Sequence, residues 1–529
     1  MLFCAAFMLV TATSAAQDAD FHAAVDALNT RSFEHKIAAV TKLAAFAHPR
    51  AITVLTALLE GSLYVTKKTK QVVIVATLDE GGYAIKDAAT GADLGIVGRR
   101  TVRKISVNNR LRRILRGQVA GLGLNNPDPA ARIAAAQSIA DAGVPDLRTL
   151  LDAQLTTESD ANVIAAIETA LVIFDLDAED EPTRIAAIKQ SATNLDGQVR
   201  IKLTAIAEDQ ALSAALRAAA NVSLHTIELT VSRYKMVETL FFGLSLGSVL
   251  VLAAIGLSIT FGVMGVINMA HGELIMLGAY TTYVVQLMFP GALEYSLFIA
   301  IPAAFAVSGL VGIAIERGVI QFLYGRPLET LLATFGVSLI LQQTVRSIFS
   351  PLNRSVATPE WMSGSFEIAK GLSFTYNRLY ILLFMMLVFG ALLAVLQRTR
   401  LGLEVRAVTQ NRAMARAMGI RSAKVDVLTF GLGAGIAGVA GVALSQLTNV
   451  GPNLGQGYIV DSFLVVVFGG VGNLWGTLVA GLSLGVMNKF IEPVAGTVVA
   501  KILILVFIIL FIQKRPRGLF PQQGRAAED

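Results

Sequence analysis

Cysteine is almost missing from this chain of 529 residues: the single one, Cys4, lies in an apolar run at the N-terminus. If that run is removed as a leader, disulfides and thiol catalysis are both excluded. The dipeptide Gly-Lys never occurs, so no P-loop can be built and ATP hydrolysis by that route is excluded. Five histidines without ligand spacing argue against a metal site, and no cofactor or enzymatic activity is expected. Charge is scarce as well. Asp, Glu, Lys and Arg make up 16% of the residues, against about a quarter in soluble proteins. The net charge of +6 does not gather into the stripe a nucleic-acid surface needs. Many basic residues instead sit in short connectors beside apolar runs, so the expected partner is a lipid bilayer and not a nucleic acid.

What is present is apolar and unevenly spread. The chain is 54% hydrophobic, but residues 17–235 are rich in charge, while from Leu240 onward long apolar runs are broken only by short polar connectors. Two regions facing two solvents are implied. The N-terminal "MLFCAAFMLVTATSAAQDAD" reads as a signal peptide over 1–16, with an apolar core from Leu2 to Val10 and small residues at Ser14, Ala15 and Ala16. An exported domain over 17–235 is expected to follow. Its first part is amphipathic helix, and residues 63–107 ("LYVTKK", "QVVIVATLD", "YAIKDAATGADLG", "VRKISVN") read as a small β-rich insertion. Beyond it come four similar stretches beginning at Asp128, Asp160, Asp180 and Asp196. In each, an Asp or its neighbour is placed to cap a helix with an Ala, Ile and Leu face, and Arg132, Arg184 and Arg200 stand four residues after their aspartates. These resemble short HEAT-like repeats.

From residue 236 to 529 nine apolar segments follow: 239–260, 267–288, 295–315, 329–349, 378–396, 425–447, 459–468, 476–487 and 498–512. About 20 helical residues cross a bilayer. The seventh and eighth are too short for that, and read as two half-length helices meeting at "GGVGNLWG". The connector 397–424 holds six arginines and one lysine against Glu404 and is assigned to the cytoplasm by the positive-inside rule. Counting outward from it places the first domain in the periplasm, and places the C-terminus inside if the two short helices form a re-entrant pair.

Three stretches carry chemistry. "FGVMGVINMAHGELIMLGAY", 261–280, puts Asn268, His271 and Glu273 among glycines in an apolar run. Ionisable groups there cost about 2.5–3.5 kcal/mol and normally face a cavity or a partner. Gly272 and its neighbours allow the helix to break, and interrupted helices are where many transporters handle substrate. The pattern recurs: "FGVMG" at 261–265 is matched by "FGGVG" at 468–472, each followed by Asn (Asn268, Asn473) and a further Gly (Gly272, Gly476). This pairing suggests an internal repeat with the pathway between its halves. The third stretch, "RAVTQNRAMARAMGI" at 406–420, has Ala and Met at helical spacing with Gly419 as a stop, and reads as a short amphipathic helix able to dock in a partner's groove or lie on anionic headgroups.

The residues 243–280, 403–420 and 465–485, with the ending "RPRGLF" at 515–520, resemble the permease subunit of branched-chain amino acid type ABC importers, and the stretch "GVMGVINMAHGE" followed by "LGAYTTYVVQ", preceded by an exported domain, most resembles its urea-type members. The resemblance covers residues 238–520. It implies an all-α multi-pass membrane permease of about eight to nine helical segments, some discontinuous, preceded by a mainly α, HEAT-like exported domain with a small β insertion. It also implies a bacterial inner-membrane location and several partners: a second homologous permease, two cytoplasmic ATPase subunits and a periplasmic solute-binding protein. In its terms Asn268, His271, Gly272 and Glu273, with Gly469, Gly470, Gly472 and Asn473, line or shape the substrate path. Arg406, Asn411, Arg412, Ala415, Met418, Gly419 and Ile420 form the element that couples to the ATPase. Urea or a short amide is the expected substrate. The alternatives are a branched-chain amino acid or, in another class, a stand-alone channel, which has no use for the basic loop. A membrane-tethered sensor would need a cytoplasmic output domain.

Overall fold

The computed structural model describes residues 19–46, 48, 50–77, 82–369 and 371–520. The signal-peptide reading of 1–16, and Cys4 with it, lies outside the described residues. The chain forms two compact units, one ending at Thr230 and one beginning at Val231. The boundary falls within one continuous helix of 51 residues, Ala214–Met264.

In the first unit an antiparallel sheet of β1 (Leu63–Thr66), β2 (Val72–Thr77), β3 (Tyr83–Asp87), β4 (Asp93–Val97) and β5 (Val102–Lys104) has the order β4-β3-β2-β1-β5. Leu63, Val65 and Val72 join a core with helices Phe33–Ala45, Ala51–Glu60 and Asn109–Gly123. A second core is built by the helices from Pro129 to Glu208 together with Leu216, Ala220 and Ile227. The four aspartates behave as their positions suggest. Asp128, Asp160, Asp180 and Asp196 each cap a helix by accepting backbone N–H bonds. The arginine four residues on does not close back onto its aspartate in the first repeat. Arg132 instead reaches Glu158, donating from Nε and Nη2 at 2.8 and 3.0 Å, and these bonds hold the Glu158 carboxyl down at about 2.

The second unit is a bundle of apolar helices. We label the long helix Ala214–Met264 α1; α2 (His271–Met288), α3 (Ser296–Gly318), α4 (Pro327–Phe349) and α5 (Tyr376–Arg398) follow. Next come α6 (Arg400–Gln410) and α7 (Arg412–Ala417), then α8 (Ser422–Ser445), α9 (Leu454–Gly469), α10 (Leu474–Ala495) and α11 (Thr497–Lys514). Seven described helices are long and apolar enough to cross a membrane, and α2 and α9, of 18 and 16 residues, flank the breaks. α8 is the axis of the bundle. Its sequence "GLGAGIAGVAGVALS" is buried along nearly its whole length, because glycine and alanine let neighbouring backbones come close enough for dispersion to hold helices together in lipid.

Two expectations are corrected. The eighth apolar segment is not half-length: α10 has 22 residues, since Asn488, Lys489 and Glu492 extend the helix instead of ending it. Lys489 Nζ donates to Glu492 Oε2 at 2.6 Å, one turn along. The short helix and the full-length one therefore flank the bend asymmetrically. Nor is 406–420 a single helix. Asn411 is extended at φ −153°, and its side-chain oxygen accepts from Met414 N–H at 2.9 Å, so it ends α6 and caps α7. The Asn side chain competes with the backbone for helix hydrogen bonds, which favours a cap over a helix interior.

Candidate functional site

Both glycine-rich stretches are broken. α1 ends at Met264 and α2 begins at His271, with Gly265 at φ +67°; α9 ends at Gly469 and α10 begins at Leu474, with Gly472 at φ +78°. These two glycines occupy the same place in the repeated pattern, and both adopt the left-handed conformation that residues with a Cβ avoid. The following asparagines also match. Asn268 Oδ1 accepts from Ala270 N–H at 3.0 Å and Asn473 Oδ1 accepts from Gly476 N–H at 3.1 Å, each satisfying a donor that a new helix leaves open. The breaks lie side by side: a Cβ on Gly262 would overlap Gly472 Cα. Close approaches continue outward, with a Cβ on Gly272 standing 2.5 Å from Gly455 O and one on Gly469 standing 2.5 Å from Gly476 O.

The polar side chains of the first break point into the protein. Asn268, His271 and Glu273 are enclosed almost completely. His271 Nε2 lies 2.8 Å from the Ala253 carbonyl oxygen of α1; that oxygen only accepts, so Nε2 carries the proton. Glu273 Oε1 accepts from Ser338 Oγ at 3.0 Å and from Gln342 Nε2 at 2.8 Å, both on α4. One turn earlier, Thr334 Oγ1 takes the Met269 N–H at 3.1 Å. Thr330, Thr334, Ser338 and Gln342 thus form a buried polar ladder, every fourth residue of α4, whose last three members bond to the first break and α2. Sequence reasoning missed this ladder although its period was visible. These bonds satisfy groups that hydrocarbon would leave stranded.

A cavity of about 730 Å³ opens beside the second break. Gly472 and Asn473 line it, with Gly262 and Val263 from the end of α1, Trp475 from α10, and Arg406 and Thr409 from α6. Of the residues expected to form the substrate path, Gly472 and Asn473 therefore meet this space, while His271 and Glu273 bond to α1 and α4 and Asn268 bonds within its own turn, to the Ala270 N–H. Gly272, Gly469 and Gly470 act as close-approach points. Arg406, expected at the coupling element, lines the cavity and donates to the Leu396 carbonyl at 3.1 Å.

The coupling residues divide by face. Ala415 is buried with Val405, Val408 and Val425, and Ile420 packs on that cluster. Arg412 turns inward to the buried carboxylate of Asp426 on α8, donates to Tyr324 OH at 2.9 Å and stands 4.3 Å over the Tyr324 ring. Met414 and Met418, four residues apart, are 60% and 78% exposed. Gly419 ends the segment at φ +88°. Asp426 and Tyr324 were not foreseen; an acidic residue inside an apolar span next to an arginine-rich loop was the available signal.

Paired helix breaks in a bundle of apolar helices, with a cavity between a bend and a short amphipathic corner, are features of a membrane permease. Residues 239–512 match the family described as branched-chain amino acid transport system / permease component, and the chain belongs to that family, the branched-chain amino acid type permeases of ABC importers. It is 31% identical to the high-affinity branched-chain amino acid transport system permease protein BraD of Pseudomonas aeruginosa, over 54% of this chain and 96% of that one. It is 30% identical to LivH of the same description in Escherichia coli K12, over 53% and 94%. The ribose import permease protein RbsC of Escherichia coli K12 is 28% identical over 48% and 77%. No solved structure matches. The chain is therefore an inner-membrane multi-pass permease and not an enzyme, and membership of this family implies ATPase and binding-protein partners. The urea reading finds no support in these relatives; the branched-chain amino acid alternative does. The motifs that suggested urea shape helix breaks, and helix ends offer hydrogen bonds to an amide and to a zwitterion alike.

Proposed function

We propose that this chain is the permease of an importer for branched-chain amino acids, with the cavity between the end of α1 and the second break as its substrate path and α6–α7 as its ATPase-coupling element. The observation that carries the proposal is the shared cavity: one space touches the end of α1, the second break and α6. A displacement of α6 would therefore be felt at the bend. The cavity walls also suit an aliphatic amino acid. Ile259, Val263, Leu393 and Leu396 offer an apolar side, while Asn473, Thr409 and Arg406 offer polar groups.

The arginines of 397–424 put this connector in the cytoplasm and the N-terminal unit in the periplasm. Met414 and Met418 then face the ATPase, and their unbranched, polarisable side chains suit a groove that changes shape. Arg412, Ala415 and Ile420 face the bundle and carry the movement inward. Uptake of radiolabelled L-leucine and of urea, in cells with and without the chain, tests the substrate: leucine entry is expected to depend on it, and dependence of urea entry alone would overturn the reading. Gly419→Val tests the coupling. Space is open around the Gly419 Cβ position, so the substitution strains only the backbone, by about 1–2 kcal/mol. Leucine uptake should fall at least about tenfold while membrane insertion is unchanged; unchanged uptake would remove the coupling role.

A further inference from the structure

The stretch after α11, "RPRGLF" at 515–520, comes back onto the second break. An α-helix leaves its last four carbonyls without partners inside the helix. In α9 two of them are taken by this tail: Leu519 N–H donates to Phe468 O at 2.9 Å and Phe520 N–H to Gly469 O at 3.1 Å. The Phe520 carbonyl accepts from Asn473 Nδ2 at 3.3 Å, and the same Asn473 side chain caps α10 through its Oδ1. One asparagine thus ties the tail to the helix that leaves the bend. The fit is close. A Cβ on Gly518 would lie 2.6 Å from Gly470 N and 2.9 Å from Val467 O, and one on Gly470 would lie 2.6 Å from Phe520 O. Leu519 and Phe520 then line the cavity that Arg406 and Thr409 line from the other side.

We infer that residues Gly518–Phe520 are positioning residues for transport: they form a clasp that caps α9 from about fifty residues away and sets the conformation of the Gly470–Asn473 bend against which α6 works. The physical argument is one of satisfied groups. Without the tail, the Phe468 and Gly469 carbonyls and the Asn473 amide lose their partners at a point where two glycines already make the backbone permissive, so the bend has no single preferred conformation. A bend that yields absorbs the movement of α6 instead of passing it to the path. The clasp acts through the bend and does not touch the ATPase.

The inference rests on the transport reading above, and its test separates the two. The whole importer, with its ATPase subunits, second permease and binding protein, is reconstituted in vesicles, and radiolabelled L-leucine moved per ATP hydrolysed is measured. Leu519→Pro removes the N–H that binds Phe468 O and keeps an apolar side chain; Leu519→Ala keeps the N–H and loses the side chain. The proline variant is expected to lower the ratio at least about tenfold while ATP hydrolysis continues, and at least about fivefold further than the alanine variant, which only trims the cavity wall. An unchanged ratio in Leu519→Pro, or an equal loss in both, overturns the clasp. Hydrogen exchange on the unaltered protein decides the matter even if the proline variant does not fold: the Leu519 and Phe520 amides should be protected as well as those of α9, and free exchange at both overturns the inference. Failure of the unaltered importer to move leucine counts against the substrate reading alone, because the exchange measurement still reports on the clasp.

Discussion

Valine in place of Gly278 is expected to leave little or no folded permease in detergent extracts, less than about a tenth of the original yield. Gly278 lies on α2 where that helix crosses α8. A Cβ there would overlap the Gly438 carbonyl oxygen and stand 2.5 Å from the carbonyl carbon and from Cα. The crossing is reciprocal, since a Cβ on Gly441 would stand 2.7 Å from Ala279 N. On the opposite side of α8 a Cβ on Gly438 would lie 2.5 Å from Ala304 O of α3. All these obstacles are backbone, so no rotamer change can relieve the overlap, and α2, α3 and α8 would have to separate together. Overpacking of a core usually costs about 1–3 kcal/mol; a clash with backbone on a central helix should exceed that range. Gly390→Val on α5 is the control. Nothing lies within 4 Å of a Cβ built there, so yield and thermal midpoint should be unchanged, which separates packing from helix propensity.

The two breaks were legible because the residues that make them are chemically out of place. Asn268 and Asn473 in apolar runs, three residues and one residue after a left-handed glycine, have few other uses. The axis of the bundle was less legible. Residues 425–447 read as one more span, although "GLGAGIAGVAGVALS" has the small-residue spacing of a helix buried on every side. Composition gives the apolarity of such a helix, but which neighbours approach it is a property of the assembled bundle. The length of α10 was hidden by Lys489 and Glu492, whose charges look like an exit from the bilayer until their pairing is seen. The corner at Asn411 was written in the sequence as a capping residue, yet the Ala and Met period on both sides outweighed it. Glu273 illustrates the limit at the site itself. Its type and setting pointed to function, but only the fold reveals that its partners, Ser338 and Gln342, stand on α4. The ending "RPRGLF" was recognisable only as a family feature, because its partners are carbonyls, and backbone groups leave no mark on a sequence.

Arg412→Ala is expected to destabilise the bundle by about 3 kcal/mol, the low end of the range for breaking a buried ion pair, because about a quarter of the Arg412 side chain is open to solvent while Asp426 is 4% exposed. The alanine leaves the Asp426 carboxylate enclosed without its cation, and removes the guanidinium from the Tyr324 ring, a contact worth about 0.5–2 kcal/mol. The Tyr324 phenol is neutral or anionic and never cationic, so it cannot substitute for the lost counter-ion. The double variant Arg412→Met with Asp426→Leu separates stability from transmission. Replacing a buried pair by apolar groups of similar volume is often neutral or stabilising, so the thermal midpoint should return close to the original value. Leucine uptake should not return. α7 is joined to α8 by the directional bonds of Arg412, supported by Arg416 Nε donating to Ser422 Oγ at 2.7 Å, and an apolar contact holds the two helices together without fixing their angle. Uptake at least about tenfold below the original in both variants, with stability restored only in the second, is the expected pattern. Full uptake in the double variant would mean that the movement reaches the path through the Ala415 cluster and the α6 wall of the cavity, without passing through the ion pair.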